Sequence, residues 1–410
     1  REWCHGLSKN GTFITNHRYR CSLNLLSTVE TMNMKKASIA IIGGGLSGLY
    51  AAFLLEKKGI DYVLLEARPT LGGRIVTAKL PMDNKNIDSF DLGPSWFWPD
   101  YQQQLAHLID ELRLETVAQF EEGDMMVERS PDEAAVRTHS YKSSPPSMRL
   151  KGGMSSLIEA LYHQLDASRI LTGQIVRQLN NTSEGIEIKA VSVVSSEDAS
   201  GQIMTWQAQQ VLLALPPRLV EESIVFHPTL PANLSAQWQQ TATWMAPHAK
   251  YVAVYDTPFW QKQGLSGAAR SAQGPMVEIH DASDVSVLGG SGALFGFIGV
   301  PALVRQSVSE ELLKAHCRAQ LVRLFGAEAE HPKREYLKDW AQEPFTATAA
   351  DISDNGQHAS APMFKAISGV WENCLTGIGS EWSMQFSGYL AGAIDAASIG
   401  VKNLPDSVLS

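Results

Sequence analysis

A glycine-rich turn between an apolar run and a helix constrains this chain more than any other part of its sequence. Residues 37–42 form an apolar run of the kind buried on both faces of a parallel sheet, and Gly43, Gly45 and Gly48 follow it. The first glycine permits a tight turn, the second lets backbone approach a pyrophosphate, and the third lets a helix pack closely on the strand. Free N–H groups at the helix start then face the anion. The turn therefore predicts dinucleotide binding.

A helix and a second strand complete this nucleotide-binding unit. Apolar residues recur at intervals of three to four over residues 46–58, which predicts a helix, and Gly59 is a candidate C-terminal cap. Residues 61–66 predict the second strand, and Glu66 stands at its end, 18 residues past Gly48, where an acid binds the ribose hydroxyls. A glycine motif is weak on its own, but strand, turn, helix, strand and acid occur here in register.

The sequence after Glu66 indicates which nucleotide is bound. Ala67 and Arg68 follow directly, and the pair Gly72-Gly73 precedes Arg74. This arrangement resembles FAD-binding flavoproteins rather than nicotinamide dehydrogenases. Physically, a second glycine pair and a fixed cation let the protein close around the far side of a diphosphate. We therefore expect FAD as the cofactor.

A second nucleotide site is not expected. The glycines within residues 290–296 are followed by no helix with a terminal acid, so this stretch is interpreted as a turn into a strand. Without a second cradle there is no evident place for NADPH to reduce the flavin. The substrate should therefore supply the electrons.

Composition and charge narrow the expected partners. Of the 410 residues, 44% are hydrophobic and 19% are charged, which is ordinary for a soluble protein of two domains or one large discontinuous domain. The net charge is −9 and no run of Lys or Arg occurs, so neither nucleic acid nor an anionic membrane surface is an expected partner. No apolar stretch approaches the length of a membrane span.

The cysteines and the N-terminal segment bear on location. The four cysteines lie far apart with no CxxC motif, which argues against a disulfide framework or a metal site and favours a reducing cytoplasm; they are Cys4, Cys21, Cys317 and Cys374. Residues 1–33 lack the periodicity of the sequence that follows and are interpreted as a leader or an appended segment, expected to be disordered. An organelle presequence is a less favoured alternative for this segment.

The spacing of apolar residues predicts further helices and strands. The helices are predicted at residues 102–114, 155–165, 310–325 and 386–397, and the strands at 125–128, 170–179, 185–194, 208–215, 250–255 and 293–300. Residues 131–146 are polar and predict a loop. The chain is therefore expected to be an α/β protein with a Rossmann-like FAD-binding domain of the glutathione-reductase type and a discontinuous α+β substrate domain. The FAD-binding domain is assigned to residues 34–93, 151–221 and 352–405, and the substrate domain to 94–150 and 222–351.

Together these features resemble the flavin monoamine oxidase family, which also contains polyamine and L-amino acid oxidases. The resemblance runs in order from about residue 38 to residue 397. Its parts are the FAD cradle, GGR at 72–74, DLGPSW at 91–96, KGGM at 151–154, LALPP at 213–217, KYVAVYDTPFW at 250–260, WAQEPF at 340–345, and GSEW with FSGYLAGA at 379–393. Several parts are loose individually, and their order makes the match.

The resemblance implies FAD-binding roles for individual residues. Glu66 would bind the ribose and Arg74 the diphosphate and flavin, while the Val176 backbone would contact adenine and Glu381 would lie near the ribityl chain. The full implied set is Gly43, Gly45, Leu46, Ser47, Gly48, Glu66, Ala67, Arg68, Gly73, Arg74, Val176, Glu381 and Leu390.

Two residues are implied in catalysis. Lys250, eight residues before Pro258, resembles the family lysine that holds a water at flavin N5, and Tyr389 resembles one wall of the aromatic cage over the flavin. The sequence around Lys250 also supports a functional role for it. Lys250 begins an alternating strand on the same face as Val252 and Val254, which predicts a partly buried ammonium. The alternatives are a solvated surface charge for Lys250 and a core aromatic for Tyr389.

The sequence departs from the family pattern at two neighbouring positions. The cysteine that attaches flavin in some members falls at Ala349, so the FAD is expected to be non-covalent. The second cage aromatic falls at Ala350, so the cage is one-sided or completed by another ring. The candidates for the substrate pocket are Trp96, Trp340, Phe345 and Trp382. The chain is also short for the family, which suggests a smaller or more exposed substrate site.

The resulting prediction is an enzyme, an FAD-dependent amine oxidase that converts an amine C–N bond to an imine with molecular oxygen as acceptor. The neutral amine is the expected reacting form, because a protonated amine lacks the free lone pair. Two alternatives stay open: an FAD-dependent desaturase or oxidase of a carotenoid-like or porphyrin-like substrate, and a catalytically silent flavin-binding scaffold. The particular amine is not defined, and a homodimer is one expected assembly.

Overall fold

A computed structural model describes residues 34–81, 87–193, 202–283, 290–353 and 358–405. These residues belong to one compact unit, Met34–Ser410. The segment interpreted as a leader, with Cys4 and Cys21, lies outside the described residues.

Strands and helices alternate irregularly along the described chain. The strands are β1 Lys35–Ile42, β2 Tyr62–Leu65, β3 Thr77–Pro81, β4 Ile87–Asp91, β5 Thr116–Ala118, β6 Asp124–Glu128, β7 Val136–His139, β8 Met148–Leu150, β9 Ile170–Leu171, β10 Gln174–Thr182, β11 Gly185–Ser192, β12 Ile203–Leu213, β13 Val225–His227, β14 Ala249–Tyr255, β15 Leu265–Ser271, β16 Met276–Asp281, β17 Gly292–Ile298, β18 Arg334–Asp339 and β19 Leu375–Gly377. The α-helices are α1 Leu46–Lys58, α2 Gln103–Glu111, α3 Ser155–Tyr162, α4 Pro217–Ser223, α5 Ala232–Gln240, α6 Phe259–Lys262, α7 Ala302–Arg305, α8 Glu310–Phe325, α9 Ala349–Ser353 and α10 Leu390–Lys402.

The first sheet is organised around β1. Its strand order is β13-β10-β11-β12-β1-β2-β9, and β19 pairs with the second half of β12. β1 runs parallel to both neighbours, and Ile42 pairs with Leu65 on one side and Leu213 on the other. Because these strands end at the same level, the turns that follow them meet at one edge of the sheet. The Rossmann-like arrangement predicted from the glycine turn is therefore present.

Helix α1 packs on this sheet as the sequence predicts. Leu49, Ala52 and Phe53 are buried in the core that α1 shares with α10. The helix ends at Gly59, which adopts the left-handed conformation with φ 67°. In α10, small residues such as Ala397 let the two helices approach closely.

The second sheet has the order β18-β14-β17-β16-β15-β6-β7 and is antiparallel except between β6 and β15. One face packs against α8 through Leu313, Cys317 and Leu321. The opposite face carries Lys250 and Val252, which are two residues apart on β14 and therefore lie on the same side of the sheet. This second face forms one wall of the cavity described below.

Local differences from the sequence predictions have simple physical causes. Residues 136–139 form β7 rather than a loop, and all four are exposed, so no apolar alternation marks this strand. Sequence patterns gave no prediction for α4 and α5, which follow Pro216 and Pro231 at their N-termini. The helix predicted to reach residue 114 ends at Glu111, before Arg113 adopts a positive φ.

The predicted domain boundaries stay a prediction, because the chain from Met34 onward forms one compact unit. β13 pairs with β10 in the first sheet, although residues 225–227 were assigned to the substrate domain. None of the described helices has the length and apolar character needed to cross a membrane. Within the same described ranges, no group of three or more His, Cys, Asp or Glu side chains is placed to hold a metal ion.

Candidate active site

A cavity of about 730 Å³ lies where the carboxyl ends of β1, β2 and β12 approach the Lys250-bearing face of the second sheet. It brings together most of the residues predicted from the sequence. Those that line it are Gly43, Gly45, Leu46, Ser47, Glu66, Ala67, Arg68, Gly73, Arg74, Trp96, Val176, Lys250, Trp340, Phe345, Tyr389 and Leu390. Its position at the carboxyl edge of parallel strands is the usual position of nucleotide sites in such sheets.

The three glycines of the turn are not equivalent. A Cβ atom on Gly43 would lie 2.7 Å from the Ala214 carbonyl oxygen, and one on Gly48 would lie 1.9 Å from the Gly43 carbonyl oxygen. The fold itself therefore requires glycine at both positions. Gly45 has an ordinary φ of −77°, and a Cβ there would meet nothing closer than 3.8 Å. Since Gly45 lines the cavity, its missing side chain leaves room on the side where a ligand would approach.

Glu66 is held at the cavity wall by backbone donors. Its carboxylate accepts hydrogen bonds from the Gly44 N–H at 2.6 Å and the Arg68 N–H at 2.7 Å, and the residue is 4% exposed. The second glycine pair locks onto the first turn, because the Gly72 N–H donates to the Gly44 carbonyl at 2.8 Å. The acid at the end of β2 and both glycine turns therefore form one rigid edge.

Arg74 lines the cavity, and its guanidinium is held by hydrogen bonds to residues 380 and 381. Its Nη2 lies 3.0 Å from Glu381 Oε2 and 3.1 Å from the Ser380 hydroxyl. Glu381 is 1% exposed and contacts Arg74, but it is not among the residues that line the cavity. The position of Glu381 favours a role in holding the Arg74 guanidinium rather than in contacting a ligand.

Lys250 is buried, as the alternation along β14 predicts. The residue is 3% exposed, and its Nζ donates to the Gly93 carbonyl at 3.1 Å and to the Ser95 hydroxyl at 2.7 Å. The same nitrogen lies 4.0 Å from the centre of the Phe295 ring. The surface-charge alternative for Lys250 is therefore wrong, while its catalytic role stays a prediction.

The charge state of Lys250 depends on its buried surroundings. Burial lowers its pKa to about 7; the carboxylate of Asp91 opposes this shift, and the guanidinium of Arg149 adds to it. Burial also raises the pKa of Asp91, although its carboxylate accepts hydrogen bonds from the Thr77 hydroxyl at 2.6 Å and the Met154 N–H at 2.8 Å. An amine with a pKa near 7 can hold or release a proton at physiological pH.

Comparison with known proteins decides the family. A family model described as flavin containing amine oxidoreductase matches residues 137–399, which is 263 of the 410 residues. The chain belongs to this family. A second model, an NAD(P)-binding Rossmann-like domain, matches residues 41–112, which include the glycine turn. FAD is therefore the cofactor of this amine oxidoreductase, its reaction is the oxidation of an amine, and oxygen is the typical acceptor in the family.

Individual relatives are distant but cover most of the chain. A probable flavin-containing monoamine oxidase A of Dictyostelium discoideum is 21% identical over 91% of this chain and 98% of its own length. The putrescine oxidase of Kocuria rosea is 24% identical over 78% of this chain and 86% of its own length. A solved structure of wild-type putrescine oxidase bound to putrescine is 21% identical, covers 90% of this chain and 99% of its own, and has a TM-score of 0.72, which confirms the predicted fold class. The family assignment supports the amine interpretation over the desaturase and scaffold alternatives.

The aromatic candidates of the enzyme divide into three groups. Trp96 and Trp340 lie near Lys250: the Trp96 ring is 5.3 Å from Phe295, and the Trp340 Nε1 donates to the Leu92 carbonyl at 3.2 Å. Phe345 lies on the nucleotide side instead, with its ring 5.6 Å from the Arg68 guanidinium. Tyr389 lines the cavity and is 39% exposed, so it is not the core aromatic of the alternative interpretation.

Trp382 was wrongly assigned to the substrate pocket. It is 4% exposed, belongs to a buried core cluster and packs edge-to-face on Trp238 at 5.5 Å. The glycine at position 377 allows this, because a Cβ there would lie 2.3 Å from the Trp382 ring. The position after GSE therefore points into the core rather than the cavity.

Trp244, His248 and Glu278 are among the cavity residues that the sequence patterns do not predict. Trp244 and His248 lie in an irregular segment between α5 and β14, where no periodicity marks them. Glu278 lies on β16, a strand that the sequence analysis did not predict. Period-2 alternation could not have found Glu278, because β16 has a register shift between Met276 and Glu278 that breaks the alternation.

Proposed function

We propose that this enzyme oxidises amines that carry a second positive charge, such as aliphatic diamines. The observation that carries the proposal is Glu278, a carboxylate in the wall of the cavity. Phe297 pairs with both Lys250 on β14 and Glu278 on β16, so the three side chains lie in one row on the same face of the sheet. Strands lie about 4.8 Å apart, which separates the Lys250 and Glu278 backbones by roughly 10 Å.

The environment of Glu278 suits the binding of an ammonium group. A hydrogen bond from His280 at 2.9 Å lowers the pKa of Glu278 against the opposing effect of burial, so its carboxylate is ionised at neutral pH. The exposed Arg270 guanidinium lies 3.8 Å away and also favours the charged form, and an ammonium bound at Glu278 would compete with it for the carboxylate. Neighbouring cavity residues Val277 and Phe297 are apolar, which strengthens a charge-assisted hydrogen bond to a cation.

The residues of the nucleotide edge fit FAD. Glu66 would hold the ribose, Gly45 would let the diphosphate approach the backbone, and Arg74, fixed by Glu381, would neutralise its charge. When bound, FAD supplies the acceptor for the two electrons of the amine and passes them to oxygen. Attachment is proposed to be non-covalent, because Ala349 occupies the position of the attaching cysteine and is exposed. Release of intact flavin into the supernatant after acid precipitation tests this.

Lys250 is proposed to hold a proton at the cavity wall. An ammonium has three N–H donors, and contacts within the described residues account for two of them, to Gly93 and Ser95. The remaining donor is proposed to orient a water next to the flavin. Tyr389 is proposed as one aromatic wall for the amine, and Trp96 and Trp340 are proposed to keep bulk solvent away from Lys250 and its one ordered water.

The relatives support the substrate proposal without deciding it. Putrescine is a diamine, and putrescine oxidase stands among both the curated relatives and the solved structures. The monoamine oxidases among the relatives would instead support a substrate with one amine group. A charged side chain at position 278 is the feature of this chain that favours the first group.

Anaerobic flavin reduction by 1,4-diaminobutane and n-butylamine tests the substrate proposal. We expect the diamine to be preferred at least 10-fold at low concentration, and Glu278→Gln to remove this preference while butylamine is little affected, since a charge-assisted hydrogen bond is worth about 1.5–3 kcal/mol. Glu330→Gln, at an exposed carboxylate, is the matched control. Equal reduction by both amines in the unmodified enzyme, or an unchanged preference in Glu278→Gln, would contradict the proposal.

Location and assembly are also proposals. A cytoplasmic location is supported by the cysteines within the described residues, Cys317 and Cys374, which are both free thiols. A homodimer is proposed as the assembly. Cell fractionation tests the first, and light scattering during gel filtration tests the second.

A further inference from the structure

The imidazole of His358 lies between two larger aromatic rings. Its ring centre is 3.4 Å from that of Trp244 with an interplanar angle of 18°, and 5.1 Å from that of Tyr389 with an angle of 20°. The three rings therefore form one nearly parallel stack. Trp98 meets the outer ring of the stack edge-on, 6.4 Å from Tyr389 at 83°.

The outer rings of this stack belong to the cavity and its centre belongs to the surface. Trp244 and Tyr389 both line the cavity, whereas His358 is exposed and is not among the lining residues. The side chain of His358 is held at its edge by a hydrogen bond to the Ser387 backbone. The stack therefore stands at a mouth of the cavity.

Trp244, one outer ring of the stack, is anchored more firmly than the His358 ring that stacks on it. A Cβ on Gly388 would lie 2.5 Å from the Trp244 Cβ, so Trp244 packs directly on the turn that carries Tyr389. The residue before Trp244 is also anchored, because the Thr243 N–H donates to the buried carboxylate of Asp351 at 2.9 Å. His358 has one hydrogen bond and two stacking contacts.

The dimensions of this arrangement suit an amine. The His358 ring centre lies 3.4 Å from that of Trp244 and 5.1 Å from that of Tyr389, so the space between the two outer rings holds one flat group. Aromatic faces attract ammonium groups and flat apolar groups. A group of the size of His358 therefore marks the size of ligand that the space between the two rings accepts.

We propose that Trp244 and Tyr389 form an aromatic slot that admits the amine, and that His358 is an internal occupant which the amine displaces. Trp244 would then supply the second aromatic wall that the sequence lacks at Ala350, which is exposed on α9. The wall comes from the segment before β14 rather than from the loop after β18. The inference depends on the family reaction and is independent of the Glu278 proposal.

The first test follows His358 by NMR. In FAD-loaded enzyme labelled with ¹³C at histidine Cε1, we expect one ring signal shifted strongly upfield by the two aromatic faces, and absent from His358→Ala. Titration with N-methylpyridinium, a flat cation whose nitrogen has no lone pair to be oxidised, should move that signal to the position of exposed histidines. The signal of His331, whose side chain is 88% exposed, should not move. An upfield-shifted signal that N-methylpyridinium leaves in place, or a His358 signal without an upfield shift, would overturn the proposal.

The second test separates displacement from a purely structural role. We expect His358→Ala to lower KM for butylamine about 3- to 10-fold with kcat nearly unchanged, because the amine no longer competes with the imidazole. Trp244→Leu should raise KM more than 10-fold, and Trp244→Phe should retain most of the affinity. His331→Ala is the control, and FAD content and thermal unfolding show whether each variant is folded. An unchanged or higher KM in folded His358→Ala contradicts the proposal. The diamine preference is read separately in the same variant, so that the failure of one proposal does not imply failure of the other.

Discussion

The nucleotide edge and the amine-facing wall of the cavity are built in opposite ways. The edge comes mainly from one continuous stretch, residues 42–74, in which backbone groups and glycines determine the shape, and Val176 and Phe345 join it from elsewhere. The amine-facing wall combines Lys250, Glu278 and Phe297 from three strands with Tyr389 and Trp244 from two irregular segments. Local sequence thus defines one half of the site, and long-range strand pairing defines the other.

The contrast extends to what each half does with charge. At the nucleotide edge, Glu66 and Arg74 are held by neighbouring donors and acceptors, as a site for a fixed ligand requires. At the amine-facing wall, burial lowers the pKa of Lys250 to about 7, where small changes in surroundings change its protonation. The first half is suited to retaining a cofactor, and the second to moving protons and exchanging substrates.

Alanine substitutions in the glycine turn give the largest expected effects and test whether the edge is shaped by the fold or by the ligand. Gly48→Ala should prevent folding or cost more than about 3 kcal/mol, because its Cβ would lie 1.9 Å from a carbonyl oxygen. Gly45→Ala should leave the stability of the FAD-free protein nearly unchanged but weaken FAD binding about 10- to 100-fold. Urea unfolding without FAD and a flavin fluorescence titration measure the two quantities. If Gly45→Ala were as unstable as Gly48→Ala without FAD, the chain itself would require that glycine.

The same contrast explains what could be predicted from the sequence. Gly43, Glu66 and the helix between them follow from short-range patterns, and the structure has them in place. Lys250 could be predicted as buried because alternation along a single strand is also local. Glu278 and Trp244 could not, since their positions depend on which strands pair and on an irregular segment. Trp382 was misassigned because the direction of one side chain after a turn depends on a glycine five residues earlier.

Substitution of Lys250 examines whether the amine-facing wall acts in flavin reoxidation. Lys250→Met keeps most of the unbranched side chain but removes its donors to Gly93 and Ser95 and its charge. We expect reoxidation of reduced enzyme by oxygen to slow about 100-fold, the size of effect seen when one preorganised donor is lost. Anaerobic reduction by amine should change only a few-fold. Stopped-flow absorbance measures both steps, with Lys79→Met at an exposed lysine as control. Reoxidation at the normal rate in folded Lys250→Met would remove Lys250 from this step.

The pH dependence of stability gives the smallest effect and tests the burial of the same lysine without any turnover. The folded-state pKa of Lys250 is about 7 and its ordinary value is 10.5, so between these values the unfolded chain binds a proton that the folded chain has lost. Stability should therefore rise with pH across this window, by about 2 kcal/mol between pH 7 and pH 9 from this one group. Subtracting the urea-unfolding profile of Lys250→Met from that of the unmodified protein gives the contribution of Lys250 together with its effect on Asp91, because groups away from this pair titrate equally in both. A flat difference between pH 7 and pH 9 would mean that the Lys250 ammonium keeps its charge in the folded protein, and that its hydrogen bonds and Asp91 offset the cost of burial.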